Sequence, residues 1–115
     1  MKLNQFSSID RPTIAKFPNI DDSYSGVIAV EPEWRDDPLN DGQQMLVVVI
    51  EHDNGVFYQI NGRTQMPDAI RDAVVDADSE ELEPGGRLTV TYAKDQGNAK
   101  IYTAHYEPPQ TEPTF

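Results

Sequence analysis

The sequence contains no cysteine and only two histidines. Disulfide bonds and thiolate metal sites are therefore excluded, and two histidines are too few to suggest a zinc site. No apolar run approaches the roughly 20 residues that a membrane-spanning helix needs, and the first residues lack the apolar core of a signal peptide. We therefore expect a soluble, cytoplasmic protein that does not associate with membranes.

Basic residues are also scarce. Nine lysines and arginines stand against 20 acidic residues, which gives a formal net charge of −11. A negative balance of this size opposes unspecific attraction to phosphate backbones and to anionic membranes. The acids are concentrated in two blocks, 31–41 and 76–83, so that other parts of the chain, such as 54–65, carry almost no negative charge.

The chain has 115 residues, of which 37% are hydrophobic, and this is enough for one domain with its own core. Residues 1–23 scatter single apolar residues among polar ones without any period, which predicts an irregular N-terminal arm. Periodic segments fill 24–109 and predict the folded domain. Residues 110–115 are rich in proline and polar residues, which predicts a flexible C-terminal tail.

Short apolar or alternating runs indicate five strands, at 26–31, 45–50, 56–61, 88–92 and 100–106. The run 45–50 consists of six apolar residues rich in β-branched types, which is typical of a strand buried on both faces. Gly26 suits a bend or bulge in the first strand. The turn residues Asn54 and Gly55 predict a hairpin between the second and third strands.

A helix is predicted between the third and fourth strands. Pro67 suits a first helical turn and Asp68 suits its positive end, and five apolar residues then recur at helical spacing: Ala69, Ile70, Ala73, Val74 and Ala77. The order of three strands, a helix and two strands is that of the OB-fold, a partly open Greek-key barrel of five strands that binds oligonucleotides or oligosaccharides. We therefore expect a mainly-β, OB-like barrel with one helix.

Three segments carry a resemblance to a known family: 17–28 before and within the first strand, 86–92 in the fourth, and 100–109 at the end of the domain. Over 17–109 the chain resembles the small OB-type, single-stranded-DNA-binding-like proteins of bacteriophages, especially those that infect actinobacteria. The resemblance implies a groove across the second and third strands, flanked by the loops between strands one and two and between strands four and five. In such grooves bases stack on aromatic rings.

Six residues match the positions that this groove would use. They are the candidate nucleic-acid-binding residues Trp34, Arg35, Phe57, Arg63, Lys94 and Lys100. Phe57 is expected to face outward, because Tyr58 shares its phase with the apolar Val56 and Ile60. Structural interpretations remain open as well: Trp34 would equally cover one end of the barrel, and the cations would serve as ordinary surface charges. The tyrosines at 92, 102 and 106 have the phase of core residues.

No nucleophile elbow, phosphate-binding glycine loop or paired catalytic carboxylate is present, so we expect neither an enzyme nor a cofactor. Two acidic groups contain residue types that ligate metals. His52 lies between two acids, but this segment leads into an Asn-Gly turn and is explained as a hairpin tip. Asp36, Asp37 and Asp41 do not have the spacing of a calcium loop.

The sequence therefore predicts sequence-independent binding of single-stranded DNA, in phage replication or recombination. The alternative is an acidic protein-interaction module that mimics DNA or inhibits a host protein, which the net charge favours directly. The ending Glu112-Pro113-Thr114-Phe115 is similar to the acidic tails with which bacterial single-stranded-DNA-binding proteins dock partner enzymes, although it is shorter. Self-association through exposed strands also stays open.

Overall fold

A computed structural model describes residues 9–63 and 65–109 of the protein. It contains seven strands and one amphipathic helix. The elements are β1 (Thr13–Ile14), β2 (Ser23–Ile28), β3 (Glu33–Asp36), β4 (Gln44–Glu51), β5 (Phe57–Gly62), α1 (Met66–Asp76), β6 (Arg87–Gln96) and β7 (Ala99–Glu107). The first eight residues of the predicted arm and the whole predicted tail, 110–115, lie outside the described residues. The five predicted strands correspond to β2, β4, β5, β6 and β7.

All seven strands belong to one strongly curled, mixed sheet of order β1-β5-β4-β2-β6-β7, in which β3 also pairs with β4. Every pairing is antiparallel except that of β1 with β5. The predicted mainly-β fold with one helix between the third and fourth predicted strands is confirmed. The predicted OB-like barrel of five strands is not, because the sheet has two further strands and stays an open half-barrel. Among the described residues β7 pairs with β6 alone, and α1 lies against it.

The core fills the concave face of the sheet, which we call the inner face. Ile28, Val48, Ile60, Leu88 and Val90 are all at most 1% exposed there. Strand β4 is buried on both faces, as its apolar run predicts: Val48 and Ile50 belong to the inner core, while Met45, Val47 and Val49 are buried on the opposite, outer face.

Gly26 lies where β2 passes from one partner strand to another. Residues 23–27 pair with β6, and residues 27–28 pair with β4. At this crossing a Cβ atom on residue 26 would stand 2.4 Å from the carbonyl oxygen of Glu51. Only glycine permits so close an approach of two backbones, which explains the glycine that the sequence places in this strand.

Helix α1 covers the inner face with the predicted stripe. Met66, Ile70, Ala73 and Val74 are buried, and the helix ends at the C-cap residue Ala77 as expected. Pro67 lies in the first turn, where the absence of its N–H costs no helical hydrogen bond. No described helix is long and apolar enough to cross a membrane.

The segment predicted as an irregular arm contributes both a strand and a core residue. Strand β1 pairs in parallel with Tyr58 and Gln59 of β5. Phe17 is 8% exposed, and its ring centroid lies 4.9 Å from that of Tyr24 and 5.4 Å from that of Tyr102. The arm is therefore packed onto the body of the sheet from residue 13 onward.

Candidate binding groove

Two of the six predicted site residues, Phe57 and Arg35, lie on the outer face of the sheet. Residues that pair across antiparallel strands point to the same face, so Phe57, paired with Glu51, shares the outer face of β4 with Val47 and Val49. Arg35 is paired with the outward Met45. Phe57 is half-buried there, while Tyr58 faces inward and its ring packs 4.9 Å from that of Tyr24.

The two predicted arginines, Arg35 and Arg63, are engaged in ion pairs within the protein. Arg63 donates from Nε to Asp37 at 2.9 Å, and the side chain of Asp37 is only 2% exposed. Hydrogen bonds from Asn40 and Arg63 lower the pKa of Asp37 to about 2. Arg35 donates to Glu33 at 2.7 Å, and this hydrogen bond lowers the pKa of Glu33.

The predicted lysines lie on the β6–β7 hairpin, and Lys100 holds the arm in place. Its Nζ donates to the carbonyl oxygen of Phe17 at 2.8 Å and lies 4.9 Å from the centroid of the Tyr92 ring. The Tyr92 hydroxyl donates to Asp95, and this bond together with burial raises the pKa of Tyr92 to about 12. Lys94 is exposed beside the bulge that shifts the register after Tyr92.

A small depression, which we call the seam pocket, lies between the end of β5 and the start of β7 and has a volume of about 480 Å³. It brings together two of the predicted residues, Arg63 and Lys100, with the half-buried Tyr102. No carboxylate is found among the described residues that line it. Lys94, Phe57 and Arg35 are not part of this lining.

Trp34 lies in a different place, in what we call the Trp34 groove. Trp34 is paired with Leu46 and therefore points to the inner face, at an end of the sheet that α1 and residues 80–82 also approach. The groove measures about 480 Å³. Its floor consists of Leu46, Ile70, Val74 and Leu82, and Trp34 itself is 54% exposed.

The rim of the Trp34 groove is acidic. Four carboxylates line it, those of Glu31, Asp68, Glu80 and Glu81, together with one guanidinium, that of Arg71. Arg71 donates to Asp68 at 2.7 Å, with both side chains largely exposed. The rim therefore carries a formal charge of −3 around an apolar floor.

In the two acidic groups that contain potential metal ligands, His52 and Asp37 have other partners. The Nδ1 atom of His52 accepts a hydrogen bond from the backbone N–H of Asn54, and the Asn54 side chain accepts one from Val56, so this segment forms a hairpin tip. Asp37 is occupied by Arg63, as described above. No group of three potential metal ligands occurs in the part of the chain that the structure describes.

The floor of the Trp34 groove is not among the predicted site residues. Ile70 and Val74 have the spacing of a core stripe and are buried in the core, and they also line the groove. Leu82 is a signal of the groove in the sequence, because it is a large apolar residue flanked by acids, which is unusual for a solvated loop. Comparison with known proteins gives no further guide, since no family model, curated protein or solved structure matches the chain.

Proposed function

We propose that the protein is an acidic protein-interaction module that binds a basic, partly apolar segment of a partner protein in the Trp34 groove. The observation that carries this proposal is an exposed tryptophan above an apolar floor, inside a rim of four carboxylates. Tryptophan is enriched among the residues that dominate the affinity of protein interfaces. An exposed one in a concave apolar site is a natural anchor.

The charge of the molecule supports a basic partner. The formal net charge of −11 attracts cationic surfaces over a distance. At contact, the carboxylates of the rim would attract the lysine and arginine side chains of the partner. Phosphate groups would be repelled from the same groove. A base stacked on Trp34 would bring its phosphate within reach of Glu31, Glu80 or Glu81, which makes Trp34 a poor stacking platform for DNA.

The test uses Trp34 as its own reporter, because it is the only tryptophan of the chain. Two lysine-leucine peptides, one spaced as an amphipathic helix and one as a strand, are titrated while Trp34 emission is followed. We expect at least one to shift the emission, with an affinity that falls between 50 and 300 mM salt, because exposed charges are screened. Peptides with glutamate in place of lysine should not bind.

Matched charge reversals locate the site. Glu80→Lys lies on the rim and should weaken binding of the basic peptide about two- to fivefold, the scale of an exposed ion pair. Glu51→Lys changes the charge equally at an exposed position on the outer face and should leave the affinity unchanged. If neither basic peptide perturbs Trp34, or if both reversals act alike, the proposal is refuted.

A second candidate function is single-stranded DNA binding at the seam pocket. It rests on the convergence of Arg63, Lys100 and Tyr102 in a depression lined by cations, and on the resemblance described above. We infer that β2, β4, β5, β6 and β7 correspond to the five strands of an OB-like Greek-key barrel that has opened between β5 and β7. The role of this chain in phage replication or recombination would follow from that correspondence.

Fluorescence anisotropy of labelled oligo-dT and of a matched duplex tests this second candidate. Preference for the single strand, with binding that weakens as salt rises, would support it. Lys94→Gln, at an exposed position paired with Ile101, the sequence neighbour of the pocket residue Lys100, should then reduce the affinity, whereas Lys16→Gln on the arm serves as the control of equal charge. Absence of binding at low salt would remove nucleic acid as a ligand.

A further inference from the structure

The edge of β3 that does not pair with β4 is open beside the Trp34 groove. Among residues 9–63 and 65–109, β3 pairs with β4 alone, and all four of its residues are exposed. Glu31 and Pro32, immediately before β3, line the groove together with Trp34. The open strand edge and the acidic groove therefore form one continuous surface.

The hydrogen-bond pattern shows which backbone groups face this open edge. The N–H of Asp37 donates to the carbonyl of Gln43 at 2.9 Å, so the N–H of residue 37 points toward the strand side that carries β4. Successive N–H groups of a strand point to alternate edges, so those of Arg35 and Glu33 also face β4. The N–H and C=O groups of Trp34 and Asp36 consequently point away from β4, toward the open edge.

We propose that the partner segment binds as an extended strand added to the edge of β3, with alternate side chains entering the Trp34 groove. This inference rests on the proposed function and specifies how the partner segment binds. Main-chain hydrogen bonds to Trp34 and Asp36 supply affinity in this mode of recognition, and pockets for alternate side chains supply specificity. The residue opposite Trp34 points into the groove, because residues paired across strands share a face.

The residues that line the groove determine which side chains the bound strand of the partner should carry, and at which spacing. An apolar side chain opposite Trp34 meets the floor of Leu46, Ile70 and Val74. Residues two positions before and after it lie about 7 Å away on the same face, near the acidic rim. The partner is therefore an extended segment in which a large apolar residue is flanked at both i−2 and i+2 by lysine or arginine.

Two blocked peptides of identical composition test the spacing. TKTLTKT places both lysines on the face of its leucine, whereas TTKLKTT places them on the opposite face. Titration against Trp34 emission should show that TKTLTKT binds at least fivefold more tightly. Equal affinities would overturn the strand mode.

Backbone methylation tests the hydrogen bonds directly. In a strand, successive N–H groups point to alternate edges, so only one set of amides faces β3. We compare TKTLTKT methylated on the amides of the leucine and the following lysine with the same peptide methylated on the two threonines beside the leucine. One version should lose on the order of tenfold in affinity, the scale of one or two hydrogen bonds, and the other should lose much less.

The outcomes separate this inference from the proposed function. Equal losses for both methylated peptides, or binding by the helical lysine-leucine peptide alone, would overturn the strand mode and leave the Trp34 groove as a binding site. Failure of both basic peptides to perturb Trp34 would overturn the proposed function and the strand mode together. An unequal loss combined with the spacing preference would support both.

Discussion

Replacing Gly26 by alanine tests the close approach of two backbones where β2 passes from β6 to β4. The new Cβ would lie 2.4 Å from the carbonyl oxygen and 2.7 Å from the carbonyl carbon of Glu51, and 3.1 Å from the nitrogen of His52. Nonbonded heavy atoms are favourably spaced at about 3.5–4 Å, so the two strands would have to separate by about 1 Å. No rotamer relieves this contact, because every atom involved belongs to a backbone.

The expected cost follows from that displacement. Overpacking of this kind costs about 1–3 kcal/mol, and the reduced freedom of the unfolded chain returns only a few tenths of this. For a domain of this size we expect the midpoint of thermal unfolding to fall by about 4–12 °C. Urea denaturation followed by circular dichroism should show a lower midpoint with an unchanged slope, since the surface exposed on unfolding stays the same.

A second strand glycine provides the control. At Gly62 the added Cβ would lie 3.2 Å from the carbonyl oxygen of Leu46 and 3.5 Å from its Cβ, which small shifts can relieve. Gly62→Ala should therefore cost less than about 1 kcal/mol. If Gly26→Ala is as stable as the unaltered protein, or if the two variants are equally destabilised, then the close backbone approach at the crossing is not the reason that position 26 is glycine.

Three further predictions concern the interior. Asp37→Asn should destabilise the protein at neutral pH, because hydrogen bonds from Asn40 and Arg63 hold the pKa of Asp37 at about 2, below its unfolded value. The difference in unfolding free energy between this variant and the unaltered protein should shrink as the pH falls from about 4 to 2, and urea titrations at several pH values would show this. Tyr106→Phe leaves a backbone N–H that donates to the hydroxyl at 3.0 Å without its acceptor, which should cost about 1–2 kcal/mol in urea unfolding. Leu88→Ala, at a position that is 0% exposed, should cost about 2–5 kcal/mol by the same measurement, and a loss below 1 kcal/mol would contradict its place in the core.

Much of the sheet could be predicted because its central strands carry strong local signals. Strand β4 is a β-branched apolar run, and the β6–β7 hairpin alternates on both sides of its turn. Strand β3 has no such signal: its four residues are polar or exposed, and they form a strand only because β4 offers them hydrogen bonds. Strand β1 is two residues long and pairs in parallel with residues 45 positions further along the chain, a contact that no local pattern encodes.

The structure brings two of the six predicted site residues, Arg63 and Lys100, together in the seam pocket. The partner of Arg63 is Asp37, which lies 26 residues earlier in a block of acids, and no local pattern links the two residues. Lys100 reaches a carbonyl group 83 residues away, and a backbone oxygen carries no signal in the sequence. Trp34 lies in an acidic segment of the sequence, yet the residues around it in the groove come from β4, α1 and residues 80–82, which only the folded chain brings together.

The bond between Lys100 and Phe17 has a consequence for the order of events during synthesis. Phe17 leaves the ribosome before the residues that fix it, since Lys100, which donates to its carbonyl group, and Tyr102, whose ring packs on it, follow more than 80 residues later. Contacts of such high sequence separation form slowly, since the intervening chain must be ordered before they become favourable. Phe17 therefore remains available to chaperones, or to strands of neighbouring nascent chains, until the β6–β7 hairpin has been made.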